Sequence, residues 1–233
     1  MKIHRFIGNF DTKQGAFVIK DPALVDQVGK VLKLASGEKI LLGDGRGLET
    51  VCVIEGIKKG ELKLIECERQ TNENESEYTT VLCLALLKKD NFELAVQKAV
   101  EVGVSEIIPI TTERTVKLGF ARERLEKIIK EAAEQSGRGI VPHLEDPIPL
   151  ENALFHANRK GTVLFCDMGE YASPSEIKTK GASYLFIGPE GGWSDAECEM
   201  AREADGQFVA LAKTTLRAET AAIVASYLFS SYL

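Results

Sequence analysis

From Lys2 to about Glu68 the apolar residues come in short runs, Phe17–Ile19, Lys39–Leu42, Thr50–Ile54 and Glu61–Ile65, and their lengths predict strands rather than helices. Between them, Gly43-Asp44-Gly45-Arg46-Gly47 and Lys58-Lys59-Gly60 supply residues that tolerate positive φ, as tight hairpin turns require. Strands this short and this closely spaced predict a small β-barrel over residues 1–70. The run Gln70–Glu77 is polar throughout and without period, which places a linker over residues 71–78.

Beyond the linker the pattern changes. Val81–Leu87 is an unbroken apolar run, the mark of a strand buried on both faces. Phe92, Ala95, Val96, Ala99 and Val100 then recur at helical spacing, behind an Asp90-Asn91 cap and ahead of Gly103. A strand at Glu106–Thr111 precedes a second helix whose stripe is Leu125, Ile128, Ile129 and Ala132 and whose stop is Gly137. Further strands are expected at Thr162–Cys166, Ser183–Ile187 and Gln207–Leu211. The alternation predicts an α/β domain with a parallel sheet over residues 79–233. In open sheets of this kind ligands bind beyond the carboxyl ends of the strands, so the loops after these three strands are where chemistry is expected.

Composition narrows the class. The 233 residues are 44% hydrophobic and 27% charged, ordinary for a folded protein, and long enough for one large domain and a smaller one. No stretch approaches the roughly 20 apolar residues of a membrane span, and Met1-Lys2-Ile3-His4-Arg5 leads into no apolar signal core, so a cytoplasmic protein is expected. Cys52, Cys67, Cys83, Cys166 and Cys198 form no CxxC pair and read as reduced thiols. His4, His143 and His156 have no second ligand at metal spacing, so no metal is expected. The net charge of -6 disfavours a broad basic surface. Its distribution matters more: residues 1–70 hold 12 Lys+Arg against 10 Asp+Glu, and the remainder 17 against 25, so any RNA contact should lean on the N-terminal part.

Two loops carry candidate chemistry. Tyr184–Ile187 runs into Gly188-Pro189-Glu190-Gly191-Gly192-Trp193, whose glycines permit close backbone approach to a ligand and equally suit a tight turn capped by Ser194. Neither GxGxxG nor GxxxxGK[ST] occurs, so dinucleotide and P-loop folds are not supported. The second loop, Leu211-Ala212-Lys213-Thr214-Thr215-Leu216-Arg217-Ala218-Glu219-Thr220, sets Arg217 near Glu219, as a site or as a solvated surface pair. The last helix, Ala221–Leu233, is apolar on most sides, which predicts that its second face meets another subunit.

Gly188-Pro189-Glu190-Gly191-Gly192 followed by Leu216-Arg217-Ala218-Glu219-Thr220-Ala221 resembles the ribosomal RNA small-subunit methyltransferase E family of SPOUT methyltransferases. Gln97–Val104, Glu113-Arg114, Glu134–Arg138 and Val141-Pro142 extend the likeness over nearly the whole chain. The resemblance implies an α/β trefoil-knotted methyltransferase domain, a PUA-like N-terminal β-barrel and an obligate homodimer. It also implies S-adenosylmethionine (S-adenosyl-L-methionine) as cofactor and N3-methylation of one uridine in 16S rRNA. The implied cofactor contacts are Cys166, Ile187, Gly188, Pro189, Glu190, Gly191, Gly192, Leu211, Ala212, Leu216 and Thr220. The chain departs from the family at Leu211-Ala212-Lys213-Thr214, where Leu-Gly-x-Arg is usual, and at Asp26-Gln27 and Val31-Leu32-Lys33, where a histidine and Val-Leu-Arg are common.

Uridine N3 carries a proton that must leave before it attacks a methyl group. Arg217, a forked cation, is expected to stabilise the uridinate through its carbonyls, and Glu219, or else Glu190, to take the proton. Arg5, Lys33 and Arg138 are expected at RNA phosphates. An acidic protein with one modestly basic domain points to a structured particle, the assembled 30S subunit, as substrate. Two rival readings remain: a SPOUT methyltransferase acting on another RNA, and a non-catalytic RNA-binding ribosome-assembly protein, which Ala212 and Thr214 make conceivable.

Overall fold

Phe17 and Ile19 are buried while Ala16 and Val18 are exposed, so the second strand already has the alternation of a sheet with one face on a core. The structure, a computed structural model, describes residues 3–12, 14–115, 119–169 and 171–232; Met1, Lys2 and Leu233, ends of the predicted elements, lie outside the described residues. The chain divides into two compact units, one of Met1–Glu75 with Ala133–Val141, the other of Ser76–Ala132 with Pro142–Leu233.

In the first unit, β1 (His4–Ile7), β2 (Ala16–Ile19), β3 (Lys39–Gly43), β4 (Leu48–Lys58) and β5 (Glu61–Thr71) form one sheet in the order β1-β3-β4-β5-β2. β1 runs parallel to β3 and the other pairs are antiparallel. The core gathers Phe6, Phe17, Ile40, Cys52, Ile54, Leu62 and Leu64. β4 and β5 run past their apolar stretches, to Lys58 and Thr71, because pairing Leu48 with Thr71 and Lys58 with Glu61 satisfies backbone groups whatever the side chains. Two register shifts, at Val51/Cys52 and Ile54/Gly56, keep the long pair matched as it twists. A short helix the periodicity did not predict, α1 (Pro22–Asp26), continues into a π-helical turn at Gln27–Val31. Asp21 caps it by accepting from the Ala23 and Leu24 N–H groups, and Leu24, Val25 and Val28 turn to the core.

Residues 133–141 join this unit through carboxylates. Glu75 accepts from the Arg138 guanidinium at 2.7 Å and from the N–H groups of Gly139 and Ile140 at 2.9 and 3.0 Å. Glu134 accepts from the Ile7 N–H at 2.7 Å.

The second unit holds β6 (Thr80–Ala85), α2 (Lys89–Glu101), β7 (Glu106–Thr111), α3 (Arg122–Ser136, whose last residues belong to the first unit), β8 (His143–Leu144) and β9 (Ile148–Pro149). It continues with α4 (Leu150–Lys160), β10 (Gly161–Cys166), β11 (Ala182–Ile187), α5 (Asp195–Glu203), β12 (Gln207–Val209) and α6 (Ala218–Ser231). The sheet runs β12-β10-β11-β6-β7-β8, with β9 also on β7, and every pair is parallel. All six residues of β6 are buried: Val81–Ala85 form an apolar run, and the Thr80 hydroxyl donates to the Phe229 carbonyl at 3.0 Å.

Three expectations are corrected. α2 starts from Lys88 with no side-chain cap, and Asp90 lies inside the first turn, where its charge favours the positive helix end. β12 stops at Val209, because the Ala210 N–H leaves the sheet to reach the Ala172 carbonyl. α6 begins at Ala218, earlier than Ala221, which brings Glu219 into its first turn.

Candidate active site

β10, β11 and β12 end at one level, since Cys166 pairs with both Ile187 and Val209. The three loops leaving them enclose a cavity of about 600 Å³, within the range of sites for small molecules and cofactors. Asp167 and Met168 form one wall, Gly188 to Trp193 a second and Leu211 to Glu219 a third; Lys88 and Asn91, from the start of α2, close the rim.

The glycine loop is held from several sides. A Cβ on Gly188 would stand 2.9 Å from the Trp193 ring, so only glycine lets the indole lie against the backbone there. That indole packs on Phe165, with ring centroids 4.2 Å apart, and donates its Nε1–H to the Cys166 carbonyl at 3.0 Å. Gly192 has φ +68°, a conformation that L side chains rarely adopt. Arg114 donates through Nη1 to the carbonyls of Gly191 and Trp193 at 2.8 and 2.9 Å.

The end of the loop is an N-cap. Ser194 accepts from the Glu197 N–H and the Glu197 carboxylate accepts from the Ser194 N–H, a reciprocal capping box. The second Glu197 oxygen accepts from the Glu113 N–H at 2.7 Å, so one buried carboxylate ties the loop to the segment that carries Arg114. The Lys88 N–H donates to Glu190 at 3.3 Å and attaches the loop to α2 as well.

Arg217 and Glu219 face opposite environments. The Arg217 side chain is 86% exposed and that of Glu219 only 9%, with Nη1 and Oε1 4.0 Å apart. Glu219 lines the cavity, and its buried Oε2 has no hydrogen-bond partner among the described residues. A buried carboxylate oxygen left unpaired in a cavity wall favours a ligand that brings a proton or a positive charge. Burial pushes the Cys166 thiol up to about 12, with the nearby Asp167 charge adding to the effect, so it is no nucleophile at neutral pH.

The structure therefore brings Cys166, Ile187, Gly188, Pro189, Glu190, Gly191, Gly192, Leu211, Ala212, Leu216, Arg217 and Glu219 to one cavity. Thr220 is not among its lining residues, since α6 has begun and turned it away. Lys88, Asn91 and Trp193, which no sequence motif marks as site residues, also line the cavity. For Arg114, only its place beside Glu113 in an ordered motif hinted at function.

The RNA methyltransferase domain family matches residues 54–230, and the RNA methyltransferase PUA domain family matches residues 28–67. Ribosomal RNA small subunit methyltransferase E of Bacillus subtilis is 33% identical, over 86% of this chain and 84% of its own. The chain belongs to this methyltransferase E family. The Rickettsia conorii member is 30% identical over 86% of this chain and 84% of its own length. The crystal structure of the Neisseria gonorrhoeae methyltransferase E, bound to S-adenosylmethionine, superposes with a TM-score of 0.88 at 29% identity, covering 97% of this chain and 95% of that one. Methyltransferase E likeness thus extends over both units.

The three cations expected at RNA phosphates sit differently. Arg5 donates through Nε to the buried Glu49 carboxylate at 2.8 Å. Arg138 is 5% exposed and holds Glu75. Lys33 is exposed, just after the π-helical turn, with φ 54°. Among the described residues no group of His, Cys, Asp or Glu is placed to hold a metal ion.

Proposed function

We propose that this chain methylates N3 of a uridine in small-subunit rRNA, using S-adenosylmethionine bound in the cavity at the ends of β10, β11 and β12. The observation that carries this reading is the cavity itself: family membership supplies the reaction, and the glycine loop, the 211–216 loop and the buried unpaired Glu219 oxygen supply a site that fits.

The lining suits the cofactor. Ile187, Pro189, Leu211 and Leu216 offer apolar surface and the glycine loop offers backbone groups, while Asp167 favours the cationic portion. When bound, S-adenosylmethionine supplies an electrophilic methyl group on a sulfonium. The chain's own residues prepare the acceptor. Arg217, exposed at the cavity mouth, holds a base carbonyl and stabilises the anion that forms when N3 loses its proton. The proton passes to Glu219, whose Oε2 is unoccupied, in preference to Glu190, whose Oε1 already accepts from Lys88. With the cofactor bound, N3 would take the methyl group as the sulfonium is lost, and Glu219 would hold the N3 proton until solvent removes it.

The same reading includes a trefoil knot, a PUA-like β-barrel and a cytoplasmic homodimer. α6 packs back on α2, β6 and β11. The apolar α6, with Tyr227 left 45% exposed, supports the dimer. No helix among the described residues is long and apolar enough to cross a membrane. RNA contact falls to the first unit, through Lys33, with Arg5 and Arg138 acting one step removed by holding Glu49 and Glu75. The substrate is the assembled 30S subunit.

Nucleoside analysis by mass spectrometry, after incubating unmodified subunits with the protein and labelled S-adenosylmethionine, is the test. N3-methyluridine at one site is the expected product. Cofactor binding without methylation would transfer the assignment to another RNA or to a non-catalytic assembly role.

A further inference from the structure

A second cavity, of about 610 Å³, lies wholly within the first unit, between the Gly8 to Thr12 loop, the Asp44 to Thr50 turn and strand, and the end of β5. Its charged walls are largely satisfied by the unit itself. Asp44 accepts from the N–H groups of Arg46 and Leu48. Glu49 accepts from Arg5, Gln70 and Asn72. Arg69 is held by Glu66 and by the Thr12 carbonyl.

What remains open has a definite chemistry. Among the described residues, the Arg46 guanidinium, the Asn9 carboxamide and the Thr12 and Thr71 hydroxyls form no side-chain hydrogen bond or ion pair. Phe10 adds an aromatic wall, folded so closely over Gly8 that a Cβ there would meet its ring at 2.8 Å. At the rim, Leu48 is 63% exposed, and Ile140, bridged to Arg46 as a strand partner, is exposed beside it. One free cation, an amide with donors and an acceptor, two hydroxyls and an aromatic ring complement a ligand that is aromatic, edge-polar and singly anionic. An unpaired nucleotide has that constitution: proteins take such bases by stacking and by hydrogen bonds to their edges, with arginine on the phosphate.

We propose that this cavity takes one unpaired nucleotide of the RNA substrate, its base against Phe10 and Asn9 and its phosphate on Arg46. The proposal rests on the reading of the chain as an rRNA methyltransferase, and it gives the first unit a specific anchoring point.

The test uses the full chain with small subunits carrying 4-thiouridine in their rRNA. Ultraviolet crosslinking followed by peptide mapping should place adducts in residues 8–12 or 44–48, and Arg46→Ala should abolish them. In steady-state methylation, Arg46→Ala should raise KM for subunits about tenfold, as expected for one lost charge-assisted contact, with kcat and cofactor affinity retained. Asn9→Ala, at an exposed side chain, provides a second variant whose KM should rise with its melting temperature unchanged. Adducts confined to other segments, together with unaltered KM in both variants, would overturn the pocket. Adducts at the pocket with no uridine methylation by the wild type would uphold it and instead remove the proposed target.

Discussion

At Gly188 a single missing carbon lets the Trp193 indole lie against the loop backbone. Gly188→Ala sets a methyl group against the Trp193 ring, and overpacking of this kind costs about 1–3 kcal/mol. Calorimetry should find S-adenosylmethionine affinity down by an order of magnitude or more, because the indole cannot retreat without giving up its bond to the Cys166 carbonyl. Arg217 differs in kind. Its side chain is almost fully in solvent, so Arg217→Ala should leave cofactor affinity and melting temperature unchanged while kcat falls by roughly 10²–10³-fold, the usual loss when one stabilising donor is removed from a transition state. Unchanged turnover would take Arg217 out of the mechanism. Both residues were legible in the sequence, one through a glycine-rich turn and the other through an ordered motif; that one is packed against a ring and the other solvated was not.

Among the elements, α5 shows how a helix start organises a site. Ser194→Ala removes one half of its capping box and should cost about 1 kcal/mol. Glu197→Ala should cost more, about 2–3 kcal/mol, since it leaves the buried Ser194 N–H without an acceptor and releases the Glu113 N–H as well. Denaturant midpoints of the two variants test that order. The capping box can be read from Ser194 and Glu197 three residues apart. The bond to Glu113 cannot, because it joins positions 84 apart in sequence. Helix α4 and the short α1 were missed for related reasons: one turn of helix leaves too few positions to establish a period, and α4 follows two strands of two residues each that gave no boundary.

On the scale of the whole molecule, long-range carboxylates matter most. Glu75 lies in the polar run read as linker, yet it anchors residues 133–141 within the first unit by holding the nearly buried Arg138. Glu75→Ala takes from the nearly buried Arg138 its carboxylate partner and from two N–H groups their acceptor, and a loss of about 3 kcal/mol is expected in chemical denaturation. Glu75→Gln, which keeps an acceptor, should lose less. An equal loss in both would place the stabilisation in packing rather than in charge.

The amino-acid sequence determined the strand and helix periods, the switch from hairpins to parallel α/β order at the polar run, and the glycine and Arg217–Glu219 motifs that fix the family. These are local properties, carried by the spacing of side chains along a few turns or strands. Tertiary structure alone decided that Arg5 and Arg138 hold internal carboxylates, that Arg114 and Glu197 brace the glycine loop, and that Glu219 keeps an unpaired oxygen in the cavity wall. The physical reason is that partnership and burial depend on which distant segments meet, and a charged side chain reads the same in sequence whether it faces solvent, a phosphate or a buried acid.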